Sequence, residues 1–312
     1  MIKLKYILTI ALSLISNLLC ANETTIIDIP QYNLEAYKSS GYRCCIPKPY
    51  GFLIDVNSIY KSPIRDFSNR GVQYAEGQVD GIYGFKLDPN TGMCVYMGGG
   101  IVNPRVNQNH QFHVSSFSQV NAGVSTFTTS FKRWFIQVGF NAQFDANKNV
   151  DNRFAKASRY SGIVWGRYCL MPNLGLHIGA IVFTGINQTT AYPILGLDYM
   201  PNCRWKFNLI FPVYPSIAYY FNPAWSISVA GRPFITRDRL SNKEFAHNGI
   251  FEYRNIGTEF SLNYSKNLLA WSLHVGYAYG GSFQVRDSQS NLIESLKFNG
   301  APYVGLNLLW RF

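Results

Sequence analysis

Charged residues and long apolar runs are both scarce in this sequence. Asp, Glu, Lys and Arg make up only 14% of the 312 residues. Beyond the first 21 residues, no stretch approaches the roughly 18–20 consecutive apolar residues that a membrane-spanning helix needs. The sequence therefore excludes a protein built from transmembrane helices.

Cysteine is also sparse, with six residues and no pair spaced as C-x-x-C. The adjacent Cys44 and Cys45 cannot chelate zinc as that motif does, so we expect neither metal nor cofactor. Cys94 and Cys169 fall inside predicted strands, where a small apolar side chain suffices. Cys203 is predicted on the same, periplasmic side as Cys44 and Cys45. We therefore expect a disulfide from Cys203 to one of that pair, since exported proteins form disulfides.

Aromatic residues and glycine are plentiful. The chain has 21 Tyr, 22 Phe and 26 Gly, and its mean hydropathy is −0.05. So many aromatic residues exclude a disordered chain. Near-zero hydropathy with few charges is typical of a barrel that is apolar outside and polar inside. The net charge of +11 comes from scattered residues rather than a basic cluster, so we expect no nucleic-acid partner and assign these residues to a pore lining or to lipid headgroups.

The N-terminus predicts export. Lys3 and Lys5 precede the apolar segment Ile7–Leu19, and Leu19-Cys20-Ala21 forms a cleavage site. We therefore expect residues 1–21 to be a signal peptide. Residues 22–48 lack periodicity and are expected to form a periplasmic extension or a plug, which leaves residues 49–312 for the main domain.

The last strand shows the clearest alternation. Val304, Leu306, Leu308 and Trp310 share one face with the terminal Phe312, because successive strand side chains point to opposite faces. This end resembles the closing strand of bacterial outer-membrane β-barrels. The resemblance implies that Phe312 is an assembly signal and that barrel-assembly machinery is a partner.

Similar segments recur along the chain, separated by turn residues. They predict an all-β fold, a transmembrane antiparallel up-and-down β-barrel of about 12 to 14 strands, with the even number 14 favoured. Short turns alternate with longer loops, and Phe52–Ile59 is the expected neighbour of the last strand. The predicted strands are Phe52–Ile59, Val72–Leu87, Met93–Val102, Phe112–Phe127, Trp134–Phe144, Tyr160–Cys169, Leu174–Phe183, Tyr192–Tyr199, Trp205–Phe211, Ile217–Phe221, Trp225–Arg232, Ile256–Tyr264, Leu269–Val285 and Val304–Phe312.

Five of the six tryptophans are expected at one end of this barrel. They follow tight turns or lie near the C-terminus, as an interfacial aromatic belt on the periplasmic side requires. The predicted belt consists of Trp134, Trp205, Trp225, Trp271 and Trp310. The sixth, Trp165, shares its face with Arg167, and the orientation of their strand stays open.

Polar residues on the opposite faces are expected to line the lumen. Both signs of charge occur among them, so they either line a conducting pore or pair across it and close it. The predicted lining residues are Gln137, Asn141, His177, Asp198, Arg232, Glu259, His274, Gln284 and Arg286.

A central segment resembles a known family. Pro193–Tyr199, followed by Pro201, Trp205 and Phe211-Pro212, is similar to a motif of an uncharacterised family of porin-like outer-membrane proteins. The motif recurs loosely at Tyr219–Trp225. The family has no assigned activity, so the resemblance implies a fold and a location only.

We expect a protein of the bacterial outer membrane, surrounded by its lipids, alone or as a homo-oligomer. The leading hypothesis is a porin-like channel for small polar solutes, with anion preference from the net charge. The first alternative is a non-conducting structural or surface-interaction barrel. The second is a phospholipase-type hydrolase using His113 and Ser115 with Asn141, since nucleophilic catalysis needs such a base beside the nucleophile. The motif that surrounds this pair in such a phospholipase is absent, and lining of the lumen is the default interpretation of these residues, so we expect no enzyme.

Overall fold

Fourteen antiparallel strands close into one barrel in which β1 lies beside β14, which confirms the predicted fold class and strand count. The computed structural model describes residues 50–65, 70–107, 114, 116–146, 158–212, 215–241, 244 and 246–311. The predicted signal peptide, residues 22–48, Cys44, Cys45, His113, Ser115 and Phe312 lie outside these residues. None of the described residues forms a helix long and apolar enough to cross a membrane.

The strands follow chain order around the barrel. Their bounds are β1 Tyr50–Pro63, β2 Gly71–Lys86, β3 Thr91–Asn107, β4 Phe117–Thr128, β5 Trp134–Asp145, β6 Ser158–Met171, β7 Leu174–Gly185, β8 Gln188–Tyr199, β9 Trp205–Phe211, β10 Ser216–Tyr220, β11 Trp225–Arg239, β12 Ile250–Lys266, β13 Leu269–Arg286 and β14 Leu292–Arg311.

The first and last strands seal the barrel as expected. Phe52 lies opposite Trp310, and the ladder runs unbroken to the pair Ile59–Tyr303. Because β14 alternates strictly, this register places Trp310, Leu306 and Val304 outside, where they are exposed.

The two ends of the barrel differ in their connections. At one end, which we call the turn end, all connections are short: 87–90, 129–133, 172–173, 200–204, 221–224 and 267–268. At the other, the loop end, the strand bounds leave longer connections between β3 and β4, between β5 and β6 and between β11 and β12, but only short ones between β7 and β8 and between β9 and β10. Ile186 and Asn187 form a two-residue turn with φ of 47° and 61°, as tight hairpins require.

Apolar side chains cover the outside of the barrel. Val138, Phe140 and Val275 are each more than half exposed, as expected for side chains that face lipid. The five predicted belt tryptophans lie at the turn end, and the rings of Trp225 and Trp271 are 5.5 Å apart. Trp165 is instead buried inside the barrel.

The hairpin of β11 and β12 extends further than predicted at the loop end. The predicted strands end at Arg232 and begin again at Ile256, yet β11 continues to Arg239 and β12 begins at Ile250. In this extension consecutive residues are buried on both faces, from Thr236 to Arg239 on one strand and from Ile250 to Tyr253 on the other. A strand buried on both faces lies inside the protein rather than in its wall.

Candidate functional site: the lumen and its two cavities

The inserted hairpin reaches across the lumen to distant strands. On one face, Tyr253 stacks on Tyr74 of β2 with ring centroids 4.2 Å apart, and Phe251 stacks on Phe117 of β4 at 5.3 Å. Asp238 accepts a hydrogen bond of 2.9 Å from Gln119 on β4. These contacts join strands that are not neighbours in the wall, so the loop-end part of the hairpin narrows the lumen.

The other face of the hairpin is charged. Arg237 pairs with Glu252 at 3.0 Å, and Arg254 also contacts that carboxylate. From the same side, Arg237 donates to the backbone carbonyl of Ile186 in the β7–β8 turn, at 3.3 Å from Nε and 3.1 Å from Nη2. The hairpin therefore separates an aromatic layer from a charged space.

A buried polar network lies on β6, β7 and β8. Trp165 Nε1 donates to His177 Nδ1 at 3.0 Å, so the ring proton is on Nε2, which donates to Asp198 Oδ1 at 2.6 Å. Arg167 holds the same carboxylate through two hydrogen bonds of 2.7 Å each. Both imidazole nitrogens are thus engaged with the protein. The arrangement fixes side chains in place rather than presenting a base to a substrate.

This network also resolves the orientation of β6. Trp165 and Arg167 both point inward without a bulge between them, since β6 pairs with β7 in continuous register from Arg159 to Cys169. Gly175 makes room for the ion pair, because a Cβ there would lie 2.3 Å from Asp198 Oδ1. His177 and Asp198 were predicted as lining residues; their partners on β6 were not.

A second network, on β1, β2 and β11–β14, is rich in carboxylates. Arg232 Nε donates to Glu259 at 2.6 Å, and its Nη1 lies 3.6 Å from Asp55. Asn57 donates to both Asp55 and Glu76 at 2.9 Å. This network therefore contains three carboxylates and one guanidinium, which contacts two of them directly.

Two aromatic residues and a histidine complete this acidic network. Tyr74 donates to Glu76 at 2.7 Å, and Tyr303 donates to Glu259 at 3.2 Å. His274 Nε2 lies 2.7 Å from Asn57 Oδ1; since that oxygen can only accept, Nε2 donates. Arg232, Glu259 and His274 were predicted to line the lumen, and the structure buries all three there.

The remaining predicted residues divide into two groups. Gln137 and Asn141 alternate with the exposed Val138 and Phe140 on β5, and Asn141 borders a cavity. Gln284 and Arg286 lie on the face of β13 opposite the fully buried Phe283 and Val285, on the side of Glu252, the ladder partner of Gln284 on β12. The alternation changes phase near Gly280, whose φ of 101° suits glycine.

Two cavities remain between the hairpin and the wall. The loop-end cavity has about 630 Å³ of empty space, part of it open to solvent, and is bordered by β5–β8 and the charged face of the hairpin. The central cavity has about 510 Å³ and is bordered by Asp55, Glu76 and Gln78. Both cavities touch Gln143, Arg159 and Ile235, so they adjoin.

Comparison with known proteins agrees with the predicted resemblance to an uncharacterised family. A family model described as a domain of unknown function (DUF6268) matches residues 104–311. An uncharacterised protein of Chlamydia pneumoniae is 26% identical over 208 residues, covering 64% of this chain and 62% of the relative. One of Chlamydia trachomatis is 26% identical over 201 residues, covering 62% and 61%. The match thus spans about six tenths of each relative.

Solved structures with low sequence identity also align. An outer membrane channel from Pseudomonas putida F1 gives a TM-score of 0.49 at 7% identity, covering 86% of this chain and 97% of the channel. LpxR from Salmonella typhimurium gives a TM-score of 0.40 at 8% identity, covering 84% of this chain and 100% of LpxR. The toluene transporter TodX of Pseudomonas putida gives a TM-score of 0.40 at 7% identity, covering 89% of this chain and 93% of the transporter.

Proposed function

The chain belongs to the DUF6268 family, and from that premise we propose that it is an outer-membrane barrel forming a narrow channel for small polar solutes. The observation that carries this proposal is the pair of adjoining cavities along the polar inner wall. Its apolar outside and its tryptophan belt at the turn end support a place in the outer membrane. The inserted hairpin supports a restricted passage rather than an open pore.

The charges around the central cavity support a preference for cations. Asp55 and Glu76 border it, and Arg159, which also borders it, is paired with Asp238 at 2.9 Å. Acidic linings select cations. The positive net charge lies partly elsewhere, since Lys132, Arg133, Arg204 and Lys266 are exposed at the turn end. The central cavity therefore supports the opposite of the anion preference that net charge alone predicts.

Conductance in planar bilayers tests the proposal. We expect the refolded protein to give small, discrete channel events, and a reversal potential in a KCl gradient that shows potassium passing more readily than chloride. Replacing Glu76 by Gln should reduce that selectivity, whereas replacing the exposed Arg204 by Gln should not. If no events appear over a wide range of salt and voltage, the channel is wrong and the non-conducting barrel takes its place.

A further inference from the structure

The barrel wall is short along the sector formed by β9 and β10, which we call the low sector. β9 has 7 residues and β10 has 5, whereas crossing the apolar core takes about 9–11 residues in a tilted strand. Among the described residues, the β8–β9 ladder ends at the pair Leu195–Phe211. The β10–β11 ladder ends at Ser216–Ala230. Both flanking strands continue towards the loop end, β8 to Gln188 and β11 to Arg239.

Each flanking strand has a proline on the loop-end side of the point where its ladder ends. These are Pro193 on β8 and Pro233 on β11. Proline lacks a backbone donor, so within sheets it occurs on edge strands rather than between two paired neighbours. The two prolines therefore mark edges that do not recruit another strand.

A contact between β11 and the β7–β8 turn closes the low sector on its loop-end side. The guanidinium of Arg237 on β11 donates twice to the carbonyl of Ile186 in the β7–β8 turn. Ile186 is buried, so this contact belongs to the packed part of the structure. Among the residues that the structure describes, the low sector is thus bounded by β8, β11, the loop-end residues of β9 and β10, and the Ile186–Arg237 contact. We call this opening the side window.

The side window lies at the depth of lipid-facing residues. Leu195 on β8 and Val229 on β11 flank its lower edge and are 55% and 48% exposed. Val182, opposite Ala191 in the β7–β8 ladder, is exposed beside it. A molecule dissolved among the acyl chains would therefore meet the window directly.

The loop-end cavity is lined from both strands that flank the window, by Tyr192 of β8 and Ile235 of β11, and its lining is of two kinds. Phe183, Tyr192 and Ile235 supply apolar surface. Arg237 and Arg254 lie around a carboxylate, Glu252.

The charged lining of this cavity carries a positive excess. Arg237 and Arg254 both border the cavity and share the Glu252 carboxylate, which Arg286 also approaches, at 3.9 Å, from beyond the lining. Arg159 is matched separately by Asp238 at 2.9 Å. A ligand that pairs an anionic group with an apolar chain complements both parts of the lining.

We propose that the loop-end cavity binds a single-chain anionic amphiphile that enters through the side window from the outer part of the membrane. The head group lies against Arg254 and Arg237, and the chain lies along Phe183 and Tyr192. This inference rests on the proposed place in the membrane but not on conductance, so a barrel that conducts nothing could still bind.

Fluorescence of a dansyl-labelled undecanoate, added to the full-length protein in neutral phosphatidylcholine vesicles, tests this site. We expect saturable binding that laurate displaces, whereas acetate, dodecyltrimethylammonium and dodecyl maltoside do not. Displacement by acetate at the same concentration as laurate would mean a site for soluble anions, and the window would have no role. Equal displacement by the cationic or neutral amphiphile would overturn the role of the arginines.

Two variants with matched controls locate the binding. Thr190→Trp fills the cavity and should abolish saturable binding, while Ala180→Trp places the same ring on the lipid-facing side of β7 and should not. Arg254→Gln should weaken binding about tenfold, the loss expected for one charge-assisted hydrogen bond, while Arg204→Gln at the turn end should leave it unchanged. Folding of each variant is checked by its shifted mobility on gels without heating. Folded variants that all bind alike would overturn the proposal.

Discussion

The two sides of the inserted hairpin are filled by different physical means. At the loop end, on the side of β1–β4 and β12–β14, a buried apolar cluster that includes Tyr74, Phe251 and Phe298 packs the hairpin against the wall. The central cavity lies on the turn-end side of this cluster, beside Asp55 and Gln78. On the side of β5–β8, the lumen contains ion pairs, hydrogen bonds and a cavity of about 630 Å³. At the loop end, apolar packing therefore closes one half of the lumen, while polar contacts leave the other half passable.

This difference indicates which side of the lumen can select among solutes. A packed aromatic layer gains from close contact and excludes water. Charged groups must keep their partners, and their fixed geometry leaves gaps that solutes or water can occupy. The hairpin is therefore both a plug on one side and a wall of the passage on the other.

Removing the plug should change the protein most. In this variant Asn-Gly replaces residues 236–253. The two residues then connect Ile235 to its ladder partner Arg254 by a turn that suits tight hairpins. We expect conductance to rise several-fold in planar bilayers, because the aromatic layer loses its inserted half.

A control separates widening from general damage. Exchanging residues 288–290 of the β13–β14 connection for other polar residues alters the same end of the barrel without touching the hairpin core. Its conductance should match that of the native protein. If the shortened hairpin also conducts like the native protein, the hairpin does not limit passage.

The apolar side should be sensitive to single side chains. Phe251 is buried in the cluster, and Phe251→Ala should lower the free energy of unfolding by about 3–5 kcal/mol, the usual cost of deleting a buried aromatic ring. Phe260→Ala on the same strand provides the control, since Phe260 is 48% exposed and faces lipid. Urea unfolding in vesicles, followed by tryptophan fluorescence, measures both. Equal losses would mean that the cluster is not tightly packed.

Alternation along the strands predicts the barrel but not its filling. The period of two is imposed by strand geometry, so the outward Val138 and Phe140 and the inward Asn141 follow from sequence. The hairpin extension does not, because Arg237, Asp238 and Arg239 look like a solvated loop until partners from distant strands are known.

The partners inside the lumen are harder to predict for the same reason. Arg167 meets Asp198 from a strand two positions away in the barrel, and only the ladder register brings them together. The alternation of β6 places Trp165 and Arg167 on one face. It does not predict that this face points inward, because an arginine is rarely buried without a known partner. The phase change near Gly280 was visible only as a pair of glycines.

The polar side should be sensitive to imbalance of charge rather than to loss of volume. Asp198→Leu leaves Arg167 buried without its carboxylate, which should cost about 3–5 kcal/mol of unfolding free energy. Adding Arg167→Met should recover most of that loss, because an apolar pair avoids burying a lone charge. A double variant as unstable as the single one would show that the other contacts of the network, rather than the charges, dominate. The same urea measurement applies.

The smallest effect is expected at the β13–β14 connection, which is exposed at the loop end beside the β7–β8 turn. Hydrogen bonds from the Asn291 side chain, and from the amides of Asn291 and Gln289, lower the pKa of the Asp287 carboxyl below its ordinary value.

A lowered pKa in the folded protein adds stability above the unfolded pKa of about 3.9, and this contribution is lost as the pH falls through the folded value. Asp287→Asn should therefore speed hydrogen exchange at the Gln289 and Asn291 amides at neutral pH, with the difference from the native protein vanishing in acid. Asp88 caps the β2–β3 turn in the same way, accepting from the Asn90 and Thr91 amides at 2.7 and 2.8 Å. Asp88→Asn should leave exchange at residues 289 and 291 unchanged, because it lies at the opposite end of the barrel. Faster exchange at those amides in both variants would show that the two ends are coupled, and the local origin of the effect would have to be abandoned.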